Sequence, residues 1–266
     1  MSNYIHGYIP EEQDRLLDQA GVLGPMIYPW VDFSDKHHVL EVGSGVGAQS
    51  QVLLSLYPQI DLTCVEIEEK QIEKAKSNLS AFWDRNIQYI NQDASKMNLE
   101  RKADGAFICW VLEHLSEPSL MLEQVFDNME STGTIFVTEV FNSSFQFIPK
   151  LPGLSDYYKA YNNFQEELGG NPDVGLILGN LLQKAGFKDI ELRRSGFHLD
   201  QTNPEELKKI AIYWKGLMKS GAEAMLKNGK VSIETVRQME IDLDQIAEHP
   251  EGVLFYQFVQ AKANKP

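Results

Sequence analysis

The stretch Val39-Leu40-Glu41-Val42-Gly43-Ser44-Gly45-Val46-Gly47 constrains the fold more than any other part of the chain. An apolar run ends on glycines at every second position, and helical residues follow from Gln49 to Leu56. A strand that stops at a glycine turn and feeds a helix is the opening of a parallel α/β unit. Glycine lets the backbone turn sharply and approach a ligand where a side chain would collide. The helix behind it presents unpaired N–H groups and a positive dipole end, suited to a carboxylate or phosphate.

The rest of the chain repeats the alternation. Strand character recurs at Asp61–Glu66, Ile87–Asn91, Gly105–Val111 and Thr134–Phe141, with helical stretches such as Glu69–Phe82 and Ser119–Met129 between. Two late strands are expected at Asp189–Phe197 and Gly252–Lys262. That pattern predicts a doubly wound, mostly parallel, seven-stranded α/β sheet covered on both faces. Asn171-Pro172-Asp173 offers a helix cap and first-turn proline, with Gly186 closing that helix. Another helix begins at Asn203-Pro204, with Glu206 in the reciprocal capping position. A third runs from Ser232 to about Ala247. The late helices read as an insertion between two strands of one sheet.

Glu66 ends the second strand, 23 residues after Gly43. An acid there can accept hydrogen bonds from both hydroxyls of a ribose, so the pattern predicts an adenosine-containing ligand. Gly43, Gly45 and Ala48 also fit the G-x-G-x-x-A form of a dinucleotide site, which leaves an NAD(P)-dependent oxidoreductase as the alternative. Against it stand glycines at 43, 45 and 47, Glu41 inside the strand, and an N-terminal arm of over thirty residues before the sheet. Gln92-Asp93-Ala94 then follows the third strand, and Trp110-Val111-Leu112-Glu113-His114-Leu115 the fourth.

On these residues the sequence resembles the class I S-adenosylmethionine-dependent methyltransferases of the small-molecule type. The motifs cover roughly residues 37–140, and the general layout 1–262. The resemblance implies a Rossmann-like methyltransferase fold with S-adenosyl-L-methionine as cofactor and S-adenosyl-L-homocysteine as product. It assigns the glycine loop with Gly43, Ser44 and Gly45 to the methionine part and Glu66 to the ribose. Ile67 and Gln71 border the nucleoside, Asp93 takes the adenine amino group with Ala94 beside it, and Trp110 lines the cleft. Glu41 supports the loop or touches the cofactor's amino group. Related enzymes fold the arm over the cofactor, which makes Tyr4 and Arg15 candidates near its methionine end.

Methyl transfer from a sulfonium is an in-line displacement with a neutral leaving group, so alignment is the main task. A base is needed only if the acceptor loses a proton near the transition state. His114, after the fourth strand, and His198, after a late strand, are the two candidates. No His/Cys/Asp cluster has metal-ligand spacing, so no metal is expected.

Acceptor choice is expected to lie in the arm and two lid insertions. The layout is one domain over 1–266: arm 1–36, cofactor-binding core 37–141, lids 142–172 and 203–249, and last strand 252–262. The first lid carries Phe145, Phe147, Tyr157, Tyr158, Tyr161 and Phe164. Tyr157, Tyr161, Phe164 and Leu168 share helical spacing, the mark of a packed face. A deep capped pocket favours a small-molecule acceptor. Composition agrees: 24 Lys and Arg against 38 Asp and Glu leave a net charge of −14, which disfavours a phosphate-backbone binder. The longest apolar runs fall well short of the ~20 residues that span a bilayer, so no membrane partner is expected. With only Cys64 and Cys109, a disulfide framework is implausible and a reducing cytoplasm is the expected setting. A methyltransferase-like chain without transfer activity, such as a cofactor-dependent cyclase, is the remaining alternative. The sequence sets neither the oligomeric state nor whether oxygen, nitrogen or carbon is methylated.

Overall fold

The computed structural model describes residues 5–266. Seven strands form one sheet among these residues: β1 (His38–Val42), β2 (Asp61–Glu66), β3 (Ile87–Asn91), β4 (Ala103–Cys109), β5 (Met129–Ile148), β6 (Lys188–Leu199) and β7 (Val253–Asn264). Their order is β3-β2-β1-β4-β5-β7-β6, and β7 alone runs antiparallel to its neighbours. The chain winds outward from β1 to β3, then crosses back to place β4 beside β1. That reversal opens a crevice beyond the carboxyl ends of β1 and β4, where doubly wound sheets bind ligands.

All five residues of β1 are buried, as a strand covered on both faces requires. Successive side chains point to opposite faces. Phe107 and Phe136 therefore join one core layer with α1 (Pro10–Ile27) and α2 (Ala48–Leu56), through Ile27, Leu53 and Leu54. Ala106, Ile108, Ile135 and Val137 join the other, with α4 (Pro118–Asp127) and α6 (Leu178–Lys184). The helix α3 (Glu69–Asn78) flanks β2 and β3. The first layer continues into α5 (Pro152–Glu167), α7 (Pro204–Ser220), α8 (Ala222–Lys227) and α9 (Ile233–Glu248) through Leu154, Tyr157, Leu207, Met225 and Met239. Thus α7 to α9 do interrupt the sheet between β6 and β7. No described helix is long and apolar enough to cross a membrane.

Several local expectations need correction. β5 runs to Ile148, seven residues beyond Phe141, because β7 continues to pair with it past a register shift between Phe141 and Gln146. The first seven positions assigned to a lid, 142–148, are therefore strand. Asn171 does not cap a helix; its Oδ1 accepts the Asp173 N–H at 2.9 Å in a local turn. A 3-10 turn at Val174–Ile177 then precedes α6. Asn203 makes no side-chain cap either, and Glu206 pairs with Lys209 at 3.3 Å instead. Ser232 does cap α9, accepting the Thr235 N–H at 3.1 Å. α3 ends at Asn78 and not Phe82, where a separate 3-10 turn takes over. The short α8 carried no start signal that sequence reading used.

Candidate functional site

The crevice beyond β1 and β4 holds a cleft of about 620 Å³, within the ~300–1,000 Å³ that small-molecule sites occupy. Its floor is the glycine loop. Gly43 sits at φ +68°, and a Cβ there would lie 2.5 Å from Val111 Cγ2. Any side chain would therefore push apart the two loops that follow β1 and β4.

One end of the cleft is acidic and built from strand termini. Glu66 is 8 % exposed. Its Oε2 accepts the Gly45 N–H at 2.9 Å and its Oε1 the Glu68 N–H at 3.0 Å. Burial pushes its carboxyl above the ordinary range. Each oxygen keeps a further lone pair, enough to accept two hydroxyls. Asp93, after β3, is held below its ordinary range, chiefly by the Ser95 hydroxyl at 2.7 Å. Ile67 stands 64 % exposed on the wall, and Ala94 lies next to Asp93. Gln71 is buried and accepts from Gln13 Nε2 at 2.8 Å, which ties α1 to α3 across the opening. Trp110 takes a positive φ of 56° directly after β4 and lines the cleft, its ring edge against Phe258. Ser44 also lines it.

Glu41 does not reach the cleft wall. It lies beneath the loop, 2 % exposed, and accepts Ser50 Oγ at 2.5 Å. Burial pushes its carboxyl up to about 8. Of the two roles the resemblance implies, the geometry leaves it the loop-supporting one. Arg15 lines the cleft, but its Nε and one terminal nitrogen are engaged by Glu12, both at 2.7 Å, and its other terminal nitrogen by Gln19 at 2.6 Å. A fork so occupied is poorly placed to clamp a ligand carboxylate as well. Tyr4 lies outside the described residues.

The two histidines separate. His114 lines the cleft, with Nε2 3.7 Å from Glu113, and burial holds it below its ordinary pKa. His198 does not. It is exposed on β6, edge-on to Phe255, because Phe197 before it takes the inward position. Strand alternation turns the next side chain out.

The other end of the cleft is an aromatic chamber made by the arm, the end of β5, α5, α7 and β7. Tyr158, Tyr161, Tyr213, Trp214 and Tyr256 line it together with Asn142. Tyr158 donates to the Asn142 carbonyl at 2.9 Å and Tyr256 to Asn142 Oδ1 at 3.1 Å. His6 of the arm is buried in the same wall. Ser220 donates its single hydroxyl proton to Leu217 O at 2.8 Å, so its oxygen accepts from His6 Nδ1 at 2.5 Å. The hydrogen-bond network thus assigns the proton to Nδ1. Nε2 is left to accept the Tyr161 hydroxyl at 3.0 Å. Burial first, then Arg15, hold His6 well below its ordinary pKa, so it is neutral.

Sequence reading named Tyr158 and Tyr161 among the aromatics of the first lid but missed His6, Tyr213 and Tyr256. His6, Tyr213 and Tyr256 carry no motif. Tyr158 and Tyr161, three apart on α5, reach the cleft, whereas Tyr157 and Phe164 pack in the core.

Beneath the chamber, Glu139 of β5 is fully buried, with Oε1 accepting the Val111 and Leu112 N–H groups at 3.0 and 2.8 Å. Burial pushes it up from 4.5 to about 8, as it does Glu41. The fold keeps these protons where the unfolded chain has released them, so stability falls as pH rises from about 4.5 to about 8. Glu139→Gln keeps the acceptor and cannot titrate. The loss of Tm that these protons cause between about pH 5 and pH 8 is expected to shrink, with Glu41 and the likewise raised Glu66 supplying the remainder and the lowered His6 and His114 acting in the opposite sense. Identical pH slopes for the two chains would overturn the assignment.

Comparison with known proteins bears on the same residues. Residues 39–133 match the family model of a methyltransferase domain. A tRNA1(Val) (adenine(37)-N6)-methyltransferase of Vibrio vulnificus is 30% identical over 87 residues, 32% of this chain and 36% of that protein. The chain thus matches only about a third of that relative's length. A malonyl-[acyl-carrier protein] O-methyltransferase of Priestia megaterium is 21% identical over 198 residues, 71% of this chain and 68% of its own. Among solved structures, Haemonchus contortus phosphoethanolamine N-methyltransferase 2, in complex with phosphomonomethylethanolamine and S-adenosylhomocysteine, superposes with a TM-score of 0.55. It is 16% identical over 95% of this chain and 52% of that one. The solved structure shares the fold, while the acceptors named for these proteins differ.

Proposed function

We propose that this chain is a class I S-adenosylmethionine-dependent methyltransferase that transfers a methyl group to a small organic acceptor held in the aromatic chamber. One observation carries the reading: a single cleft joins the Glu66 and Asp93 strand ends to a chamber closed by the arm, α5 and α7. The cofactor, when bound, supplies an electrophilic methyl on a sulfonium.

The chain's own part is placement. Glu66 accepts from the ribose hydroxyls while its bonds to Gly45 and Glu68 hold its carboxylate still. Asp93 accepts from the adenine amino group, and Gln71, Ile67 and Ala94 border the nucleoside. The glycine loop lets the backbone lie against the methionine part, with Ser44 in its wall. Trp110 lines the cleft, packed on Phe258. Holding acceptor and methyl in line supplies ~7–11 kcal/mol without a covalent intermediate. For an acceptor that sheds a proton, the Tyr161 hydroxyl and His6 Nε2 form a path, and His114 stands nearby on the same wall.

A small acceptor fits better than a nucleic acid. The cleft wall contains no lysine among the described residues, its one arginine is paired, and the chain carries a net charge of −14. Phosphate backbones require the opposite. Arm, core and lids then form one functional domain.

Calorimetry with S-adenosylhomocysteine and, in parallel, NAD tests the cofactor. Binding of the first and not the second is expected; binding of NAD alone would replace this reading with the dinucleotide one. Labelled methyl donor, incubated with small-molecule, RNA and protein fractions of the source cells, tests the acceptor. Label is expected in the small-molecule fraction, and label confined to RNA or protein overturns that part.

A further inference from the structure

The charges and hydrogen-bond donors of the chamber restrict its acceptor further, on the premise of the function just proposed. The acids on the cleft wall are Glu66, Glu68, Asp93, Glu113 and Glu117, against Arg15 as the single strong base among the described residues. Arg15 is neutralised at 2.7 Å by Glu12, which is itself 2 % exposed. His6 and His114, the other basic groups there, are held neutral by burial. An anion entering this space meets no uncompensated positive charge from the protein's side chains, and a buried unpaired charge is strongly unfavourable.

The direction of the hydrogen bonds adds a second, independent restriction. Tyr158 and Tyr256 spend their hydroxyl protons on Asn142, and Tyr161 donates its own to His6. The Asn142 amide donates to Asn162 at 3.0 Å. The Trp214 indole N–H is sealed within the protein and makes no bond. What Tyr158 and Tyr256 offer a ligand is oxygen lone pairs, which only a donor can use, while Tyr213 on the same wall keeps a hydroxyl proton that it can donate. Glu113 adds a carboxylate, fixed at 2.8 Å by Gln165 Nε2. The rings add their negative faces: Tyr158 and Tyr161 are stacked at 6.4 Å, and Trp214 stands 4.7 Å from Tyr256. Cations are drawn to such faces.

The geometry points to an organic amine as the acceptor, bound through its N–H groups to tyrosine oxygens and Glu113 and through its charge to the ring faces. The methylated atom is then the amine nitrogen, once an ammonium bound this way has passed one N–H proton along the Tyr161–His6 path; its freed lone pair would form the N–C bond as the methyl's bond to sulfur breaks and the neutral thioether leaves.

Three probes of one skeleton test this on the intact protein loaded with S-adenosylhomocysteine: phenethylamine, 2-phenylethanol and phenylacetate, each titrated by calorimetry at millimolar concentration. Phenethylamine is expected to bind about tenfold more tightly than the alcohol, and phenylacetate not measurably. Glu113→Gln is expected to narrow the gap between amine and alcohol. Because that variant also alters the Gln165 contact, the ranking on the unaltered chain decides. Equal binding of amine and alcohol, binding of phenylacetate as tight as that of the amine, or no binding of the amine overturns the assignment. Failure of S-adenosylhomocysteine itself to bind removes the functional reading and the acceptor class with it. Its binding with a wrong probe order removes the acceptor class alone.

Discussion

Glu66→Ala is expected to weaken S-adenosylhomocysteine binding by about 10²–10³-fold, the largest effect of any single substitution in the cleft. Hydrogen bonds to a charged group contribute ~1.5–3 kcal/mol each, and Glu66 has lone pairs for two ribose hydroxyls. Losing both amounts to roughly 3–4 kcal/mol after partial replacement by water, which is the stated factor. The substitution has a second consequence inside the protein. Gly45 N–H and Glu68 N–H, now satisfied at 2.9 and 3.0 Å, lose their acceptor, and the glycine loop loses its anchor to β2. Glu66→Gln separates the two effects, since it keeps one acceptor oxygen and gives up the charge; it is expected to fall between the two chains. Burial raises the Glu66 pKa, so affinity is also expected to drop as pH falls through that raised value and the carboxyl takes up a proton. Calorimetry on protein with an unchanged near-ultraviolet spectrum is the measurement. Affinity of Glu66→Ala within about threefold of the original would mean that this carboxylate is not at the ribose.

The half of the cleft lined by the glycine loop, Glu66 and Asp93 was legible because its elements are local. Strand, glycine turn and acid lie within one βαβ unit, so spacing alone sets Gly43 and Glu66 on facing positions, and β2 and β3 fall at the expected residues. Asp93 follows for the same reason, one strand over. The acceptor half was not legible, because it is assembled from distant segments. His6 meets Ser220 across 214 residues and Tyr161 across 155. No periodicity within the arm distinguishes a histidine that ends in a wall from one that ends in water. His198 shows the converse error: it was read as following a late strand that ends at Phe197, whereas β6 continues to Leu199 and strand alternation turns His198 outward. Glu41 was read correctly as an acid inside a strand. That it stops short of the cleft follows from the helix α2 packing over it through Ser50.

Gly196 lies within β6, paired with Gln257 of β7. Gly196→Ala is expected to lower stability by about 3 kcal/mol, near 10 °C in Tm. Gly196 has φ +144°, and a Cβ there would lie 2.0 Å from the Tyr256 carbonyl oxygen and 2.8 Å from Gln257 Cα. Both are backbone atoms of the paired strand β7, so no side chain can swing aside. The edge strand β6 must retreat or unpair. Backbone strain of this kind contributes ~1–3 kcal/mol and overpacking a similar amount. Gly229→Ala is the matched control, with a positive φ of 64° and nothing within 4 Å of the added methyl; it carries strain without collision and is expected to lose only about 1 kcal/mol. The displacement also reaches the site. Phe197 follows directly, edge-on to Trp214 at 5.6 Å and next to Tyr256 at 6.0 Å. Moving it unseats two rings of the chamber wall while leaving Glu66 and Asp93, across the sheet, untouched. At temperatures where the Gly196→Ala chain is folded, phenethylamine binding is therefore expected to fall while S-adenosylhomocysteine binding holds. Equal Tm losses for the two alanine variants would show that β6 yields to the methyl. A parallel loss of both ligands would show that the two halves of the cleft are not mechanically separate.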